Sequence, residues 1–266
     1  MFTTIAQEKL TIHRFICRIH TMDELSAIRK DIKKAADSKK AQLFQRFFKT
    51  GEGEYGYGDI FVGLTVPQSR LLSKKYAHLS LTDVTLLLTS SVHEERLIAL
   101  FLLIQQFNKS SEPIKKEIYQ RYLSHTKYIN NWDLVDSSAY HIVGAYLWMI
   151  QNQKSRFWTS QNDTLTKLAK SPNLWERRIA IIATYCFIRE NNFEETLRIA
   201  EILLTDKHDL MHKAVGWMLR EMGKKNQEVE EIFLRKHYKK MPRTMLRYAI
   251  ERFDEEKRKK YLAGTV

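Results

Sequence analysis

Little in this 266-residue sequence suits a turn-rich, disulfide-stapled or membrane-spanning protein. Glycine occurs nine times and proline four times, too few for an all-β fold with many tight turns or for low-complexity disorder. The two cysteines, Cys17 and Cys186, show neither CxxC spacing nor the density of a disulfide framework, which agrees with a reducing compartment. The longest apolar stretches, such as Ile142 to Ile150, fall far short of the ~20 residues that cross a bilayer. The opening MFTTIAQEKL lacks the apolar segment of a signal peptide. A soluble cytoplasmic protein is therefore expected. Acid is also scarce: 31 Asp and Glu face 44 Lys and Arg, a formal charge of +13. That excess makes a polyanion the first partner to consider.

What is present is helical patterning. Hydrophobic residues make up 44% of the chain, enough at this length to bury a real core. From about residue 94 onward, apolar positions recur at i, i+3 and i+4, as in Leu134, Val135, Ala139, Ile142, Val143, Tyr146 and Leu147. The same period marks Glu94 to Phe107, Leu174 to Arg189, Met211 to Met222 and Met241 to Phe253. Short breaks carrying Pro, Asn or Gly separate these stretches. A weak repeat places Arg178, Lys213 and Arg247 before small apolar runs, 35 and 34 residues apart. That period fits stacked helical hairpins of the HEAT class, which would align the cations along one face. A concave basic surface of that kind suits a duplex backbone.

Five of the nine glycines fall between Gly51 and Gly63, and Gly51, Gly53 and Gly56 show the G-x-G-x-x-G spacing. A dinucleotide site needs a strand before that spacing and a helix after it. The preceding LFQRFFKT offers no strand, so a flexible loop joining helices is expected, with a helix starting near Val66-Pro67.

Three clusters are candidates for chemistry. In Asn130-Asn131-Trp132-Asp133-Leu134-Val135-Asp136, Asn131 suits an N-cap, and Trp132 and Asp136 project from one face of the helix it opens. Core burial for Trp132 and a helix-dipole role for Asp136 are the plain alternative. Asn173-Leu174-Trp175-Glu176-Arg177-Arg178 repeats the construction at a second helix start, its plain alternative being a buried Trp175 and a solvated arginine pair. In the third, Gly216 beside Trp217 allows either close helix packing or room for a ligand. His208 and His212 are spaced to offer two metal ligands, but the HExxH glutamate is absent. Met211, Met218 and Met222 suit core filling. The run from Arg235 to Lys240 belongs to a segment, 211–252, with eleven cations and five anions, which suits phosphate contact.

The set FFKTGEGEYGYGDIFVGLTVPQSR, NNWDLVD, LWERRIA, HKAVGWMLREMGK and PRTMLRYAIERF resembles the DNA alkylation repair glycosylases of the AlkD family, in order and spacing from about Phe44 to Phe253. The resemblance implies an all-α α-solenoid of HEAT-like hairpins with a concave basic groove that wraps duplex DNA. It implies excision of cationic N3- and N7-alkylated purines by N-glycosidic hydrolysis, with no metal and no cofactor. Asp136 would be the catalytic carboxylate, with Trp132 and Trp217 facing the lesion's deoxyribose-phosphate and Arg178 beside the acid. Phe47, Arg177, Lys213, Arg243, Arg247, Lys239 and Lys240 complete the expected DNA-facing set. At Phe47 some members carry tyrosine, so this chain has no hydroxyl to offer there. The expected organisation is a variable arm over 1–20, one domain over 21–255 and a tail over 256–266, acting as a monomer in the cytoplasm on nucleoid DNA. A non-enzymatic HEAT module for branched nucleic acid is the main alternative, and a protein-binding scaffold a third.

Overall fold

The computed structural model describes residues 24–152 and 158–266. The arm expected over 1–20, with Cys17, lies outside them. The protein is all-α. Among the described residues the sole β feature is an isolated bridge between Ile60 and Val92. The chain divides into two compact units, Met1–Arg121 and Tyr122–Val266.

In the first unit, helix α1 spans 24–35 and is followed by α2 (Ser38–Phe47), α3 (Val66–Lys75), α4 (Leu81–Leu88) and α5 (His93–Lys109). The division between units falls within α6 (Glu112–Ser124). α3 starts where the sequence predicts: Thr65 and Gln68 form a capping box, and Pro67 sits in the first turn, where its missing N–H costs nothing. α5 is buried on nearly every side and forms the unit's core, with Ile98, Leu100, Leu102 and Leu103 almost fully enclosed.

The glycine-rich loop joins α2 to α3, as expected, and its second half is anchored. The buried Glu94 carboxylate accepts the amide N–H groups of Val62, Gly63 and Leu64 at 3.1, 2.8 and 3.2 Å. Buried Asp59 takes His93 Nδ1 at 2.9 Å and Arg96 Nη2 at 2.7 Å. Burial alone would raise the Asp59 carboxyl, but the His93 hydrogen bond and the Arg96 charge outweigh it and hold the group below its ordinary value. Phe61 stacks on Phe48 at 4.9 Å and on His93 at 4.3 Å between ring centroids. Gly63 adopts φ +88°, and a Cβ there would lie 2.1 Å from the Asp37 carbonyl oxygen. Gly63→Ala is therefore expected to destabilise the first unit by about 3 kcal/mol, from left-handed backbone strain and overpacking together. Chemical denaturation of the variant checks this, and unchanged stability would mean that α2 can move aside.

The second unit contains α7 (Trp132–Ala139), a π-helical turn (Tyr140–Gly144), α8 (Ala145–Asn152), α9 (Trp158–Ala169), α10 (Leu174–Ala183) and α11 (Tyr185–Arg189). They are followed by α12 (Glu194–Ile202), α13 (Asp209–Gly223), α14 (Gln227–His237), α15 (Arg243–Ala249) and α16 (Glu255–Ala263). Two stretches with continuous helical period are interrupted. The π turn brings Gly144 against the Ala183 carbonyl, where a Cβ would lie only 2.2 Å away. Between α10 and α11, the buried Thr184 hydroxyl bonds back to the Ile181 carbonyl at 2.7 Å, a contact that bends helices.

α7, α10, α13 and α15 pack on one another in that order and form a row of stacked helices. Asp136, Arg178, Lys213 and Arg247 are each the fifth residue of their helix. The weak sequence repeat thus marks equivalent positions in three successive layers, and the acid takes that position in the first layer. Gly216 is a packing glycine: a Cβ there would meet the Met245 carbonyl at 2.4 Å and Tyr248 Cβ at 2.5 Å, so α13 and α15 lie in direct backbone contact. Met211, Met218 and Met222 are fully buried. The segment 256–266, set apart as a tail, contributes to the core: α16 packs Tyr261, 1% exposed, against Tyr238 and Phe253.

Candidate active site

The side chain of Asn131 accepts the Trp132 N–H at 2.8 Å and starts α7. That fixes the helix phase and places Trp132 at its first position and half-buried Asp136 one turn in. α10 starts in the same way, with Asn173 accepting from the Trp175 N–H at 2.9 Å. Trp175 turns into the core, 7% exposed, which is the plain reading of that residue.

Arg178 meets Asp136 across 42 residues of sequence in a two-pronged ion pair: Nε to Oδ1 at 2.8 Å and Nη2 to Oδ2 at 2.7 Å. Its third arm, Nη1, donates to the Leu210 carbonyl of α13 at 2.5 Å. The arginine side chain is 6% exposed and the aspartate side chain 17%, so the guanidinium is enclosed while the acid keeps a little contact with the surface. Burial pushes the Asp136 carboxyl above its ordinary value, and the Arg178 charge and hydrogen bonds act against that rise. A neighbouring cation by itself would lower the carboxyl, and here the depth of burial outweighs it.

Trp217 lies on α13, two layers along, half-buried, with its indole N–H donated to Glu221 at 3.0 Å. Glu221 is in turn held by Lys224 at 2.7 Å. Glu221 stands at i+4 from Trp217, the spacing that brings two side chains together on one helix face. Arg177 is not a solvated cation. Its Nε pairs with Asp206 at 2.7 Å, and its Nη1 reaches the carbonyls of Ser171 and Pro172 at 3.0 and 2.9 Å. The two histidines with metal-ligand spacing serve the loop before α13. His208 Nδ1 accepts the Leu210 N–H at 3.2 Å, and His212 Nε2 donates to the Asp206 carbonyl at 2.5 Å.

Of the expected DNA-facing residues, Lys213 is partly exposed and paired with Asp209 at 2.7 Å. Arg243 and Arg247 are exposed on α15, with Arg243 reaching the Leu262 carbonyl. Lys239 and Lys240 are exposed in the turn before α15. Phe47 belongs to the first unit, at the end of α2, and is 61% exposed. A half-buried anion with a locked counter-cation, a tryptophan one turn away and exposed cations on the neighbouring layers can stabilise a developing positive charge on a polyanionic substrate.

A family model described as DNA alkylation repair enzyme matches residues 28–253. Among solved structures, the fold is similar to that of the predicted DNA alkylation repair enzyme from Enterococcus faecalis. The TM-score is 0.64 at 16% identity, with 83% of this chain and 97% of that chain covered. No curated protein matches this chain.

Proposed function

Because this chain belongs to the DNA alkylation repair enzyme family, we propose that its second unit is a DNA glycosylase site that excises cationic N3- and N7-alkylpurines from duplex DNA. The observation that carries the reading is the two-pronged Asp136–Arg178 pair, in which the acid is the more exposed partner. A purine alkylated at N3 or N7 is already cationic. When its N-glycosidic bond breaks, the bonding electrons neutralise the base, so no acid has to protonate the leaving group. Positive charge moves to the sugar instead. Asp136 stabilises that oxocarbenium ion and orients the water that attacks C1′, the water's proton passing to the carboxylate or to solvent. The Trp132 and Trp217 faces add cation–π attraction. O-glycosidases need two carboxylates because their leaving groups are poor; one is enough here.

Arg178 is the positioning residue. Without it a carboxyl at this depth would take up a proton and lose the charge that the chemistry uses. Incubation with duplex DNA containing a single N7-methylguanine should release free 7-methylguanine and leave an abasic site, read by chromatography of the base and by alkaline cleavage of the strand. Tight duplex binding with no base released would favour the non-enzymatic module.

A further inference from the structure

The loops that precede α7, α10, α13 and α15 lie along one edge of the second unit, and hydrogen bonds lace them together. Thr126, before α7, donates to Glu176 Oε1 in the first turn of α10 at 2.7 Å. Ser171, before α10, donates to Glu176 Oε2 at 2.5 Å. Arg177 crosses to Asp206, before α13, at 2.7 Å. Asp206 Oδ1 also accepts the His208 N–H at 2.9 Å. Asp209, in the first turn of α13, is held below its ordinary value by hydrogen bonds from Lys213 and from Thr244 of α15.

This lacing sorts the charges on the edge. Glu176, Asp206, Asp209 and Arg177 are satisfied within the protein. In the loops themselves the exposed charges are lysines: Lys127 before α7, Lys170 before α10, Lys207 before α13, and Lys239 with Lys240 before α15. Among the described residues none of these forms an ion pair with a carboxylate, and Lys127 and Lys239 lie over the Tyr128 and Tyr238 rings at 4.7 and 5.8 Å. Like charges repeated along an edge repel one another unless a polyanion lies against them. Asp136 sits about 6 Å in from this edge at the helical rise per residue. Packed helices are about 8–10 Å apart, so each layer advances about three nucleotides of a strand that rises ~3.4 Å per nucleotide.

We infer that this lysine edge, and not Arg177, holds the phosphate backbone of one DNA strand beside the catalytic carboxylate. The inference rests on the duplex-binding function proposed above. The test measures affinity for an undamaged duplex by fluorescence anisotropy across a salt series. A variant carrying Lys127→Gln, Lys170→Gln and Lys207→Gln should bind more weakly, and the slope of log K against log salt should become shallower by about 2 to 3, near 0.9 for each lost phosphate contact. Arg177→Gln should lower the melting temperature and leave that slope unchanged. Asp206→Asn keeps Arg177 in place and releases it from its ion pair, and should likewise leave the slope unchanged. A triple variant with the wild-type slope, or a slope that falls with Arg177→Gln and steepens with Asp206→Asn, would overturn the inference while leaving duplex binding standing. A wild-type protein with no salt-dependent duplex affinity would overturn the functional reading and this inference together.

Discussion

Asp136→Asn is expected to slow base excision by about 10²- to 10³-fold or more, the range seen when one preorganised electrostatic group is removed from a transition state. Affinity for duplex DNA should stay near the wild-type value, because the charge Asp136 meets exists only near the transition state. The substitution keeps an acceptor for the Arg178 guanidinium at 2.7–2.8 Å, but it also leaves that cation buried without its counter-charge. A stability loss of about 3 kcal/mol is expected from this, so the melting temperature must be measured beside the rate. A folded variant with full excision would remove Asp136 from the chemistry. The pH profile gives a second reading of the same residue. Burial raises the Asp136 carboxyl above its ordinary value, and the proposed mechanism uses the anion. The wild-type rate should therefore fall on acidification at a higher pH than an ordinary carboxylate would impose, and the residual activity of Asp136→Asn should lack that acid limb.

Cationic 3-methyladenine and 7-methylguanine are expected to leave far faster than neutral hypoxanthine or ethenoadenine from the same duplex sequence. With one carboxylate and no protonating partner, the site depends on activation already present in the lesion. The other carboxylate that acts on Asp136 is Asp133, one turn away, and its charge makes the Asp136 carboxyl harder to ionise. General acid catalysis typically contributes about 10²- to 10⁴-fold, and that is the discrimination expected between charged and neutral purines. Single-turnover rates with enzyme in excess keep product release out of the comparison. Comparable rates on the two classes would mean that a proton donor acts on the leaving base, and the single-carboxylate mechanism would fall.

Local rules settled a good part of this protein from the sequence alone. The all-α class followed from helical period and the scarcity of Gly and Pro. The helix starts at Asn131, Asn173 and Val66 followed from capping and first-turn chemistry, and the structure shows all three. The repeat of Arg178, Lys213 and Arg247 marked equivalent places in successive layers. All of these depend on neighbours within a turn or two, which a linear sequence displays. What each charge does was decided by residues dozens of positions away. Of two adjacent arginines, Arg178 turns to Asp136 and Arg177 to Asp206, a choice made by where α7 and the loop before α13 pack. The glycine-rich loop is anchored because Glu94, more than thirty residues on, reaches its amides. The long helical periods break at Gly144 and Thr184 because packing against another helix and a buried side-chain hydrogen bond outweigh periodicity there. Helical period and capping are properties of a short stretch of chain; burial and charge pairing exist only once the layers have been stacked.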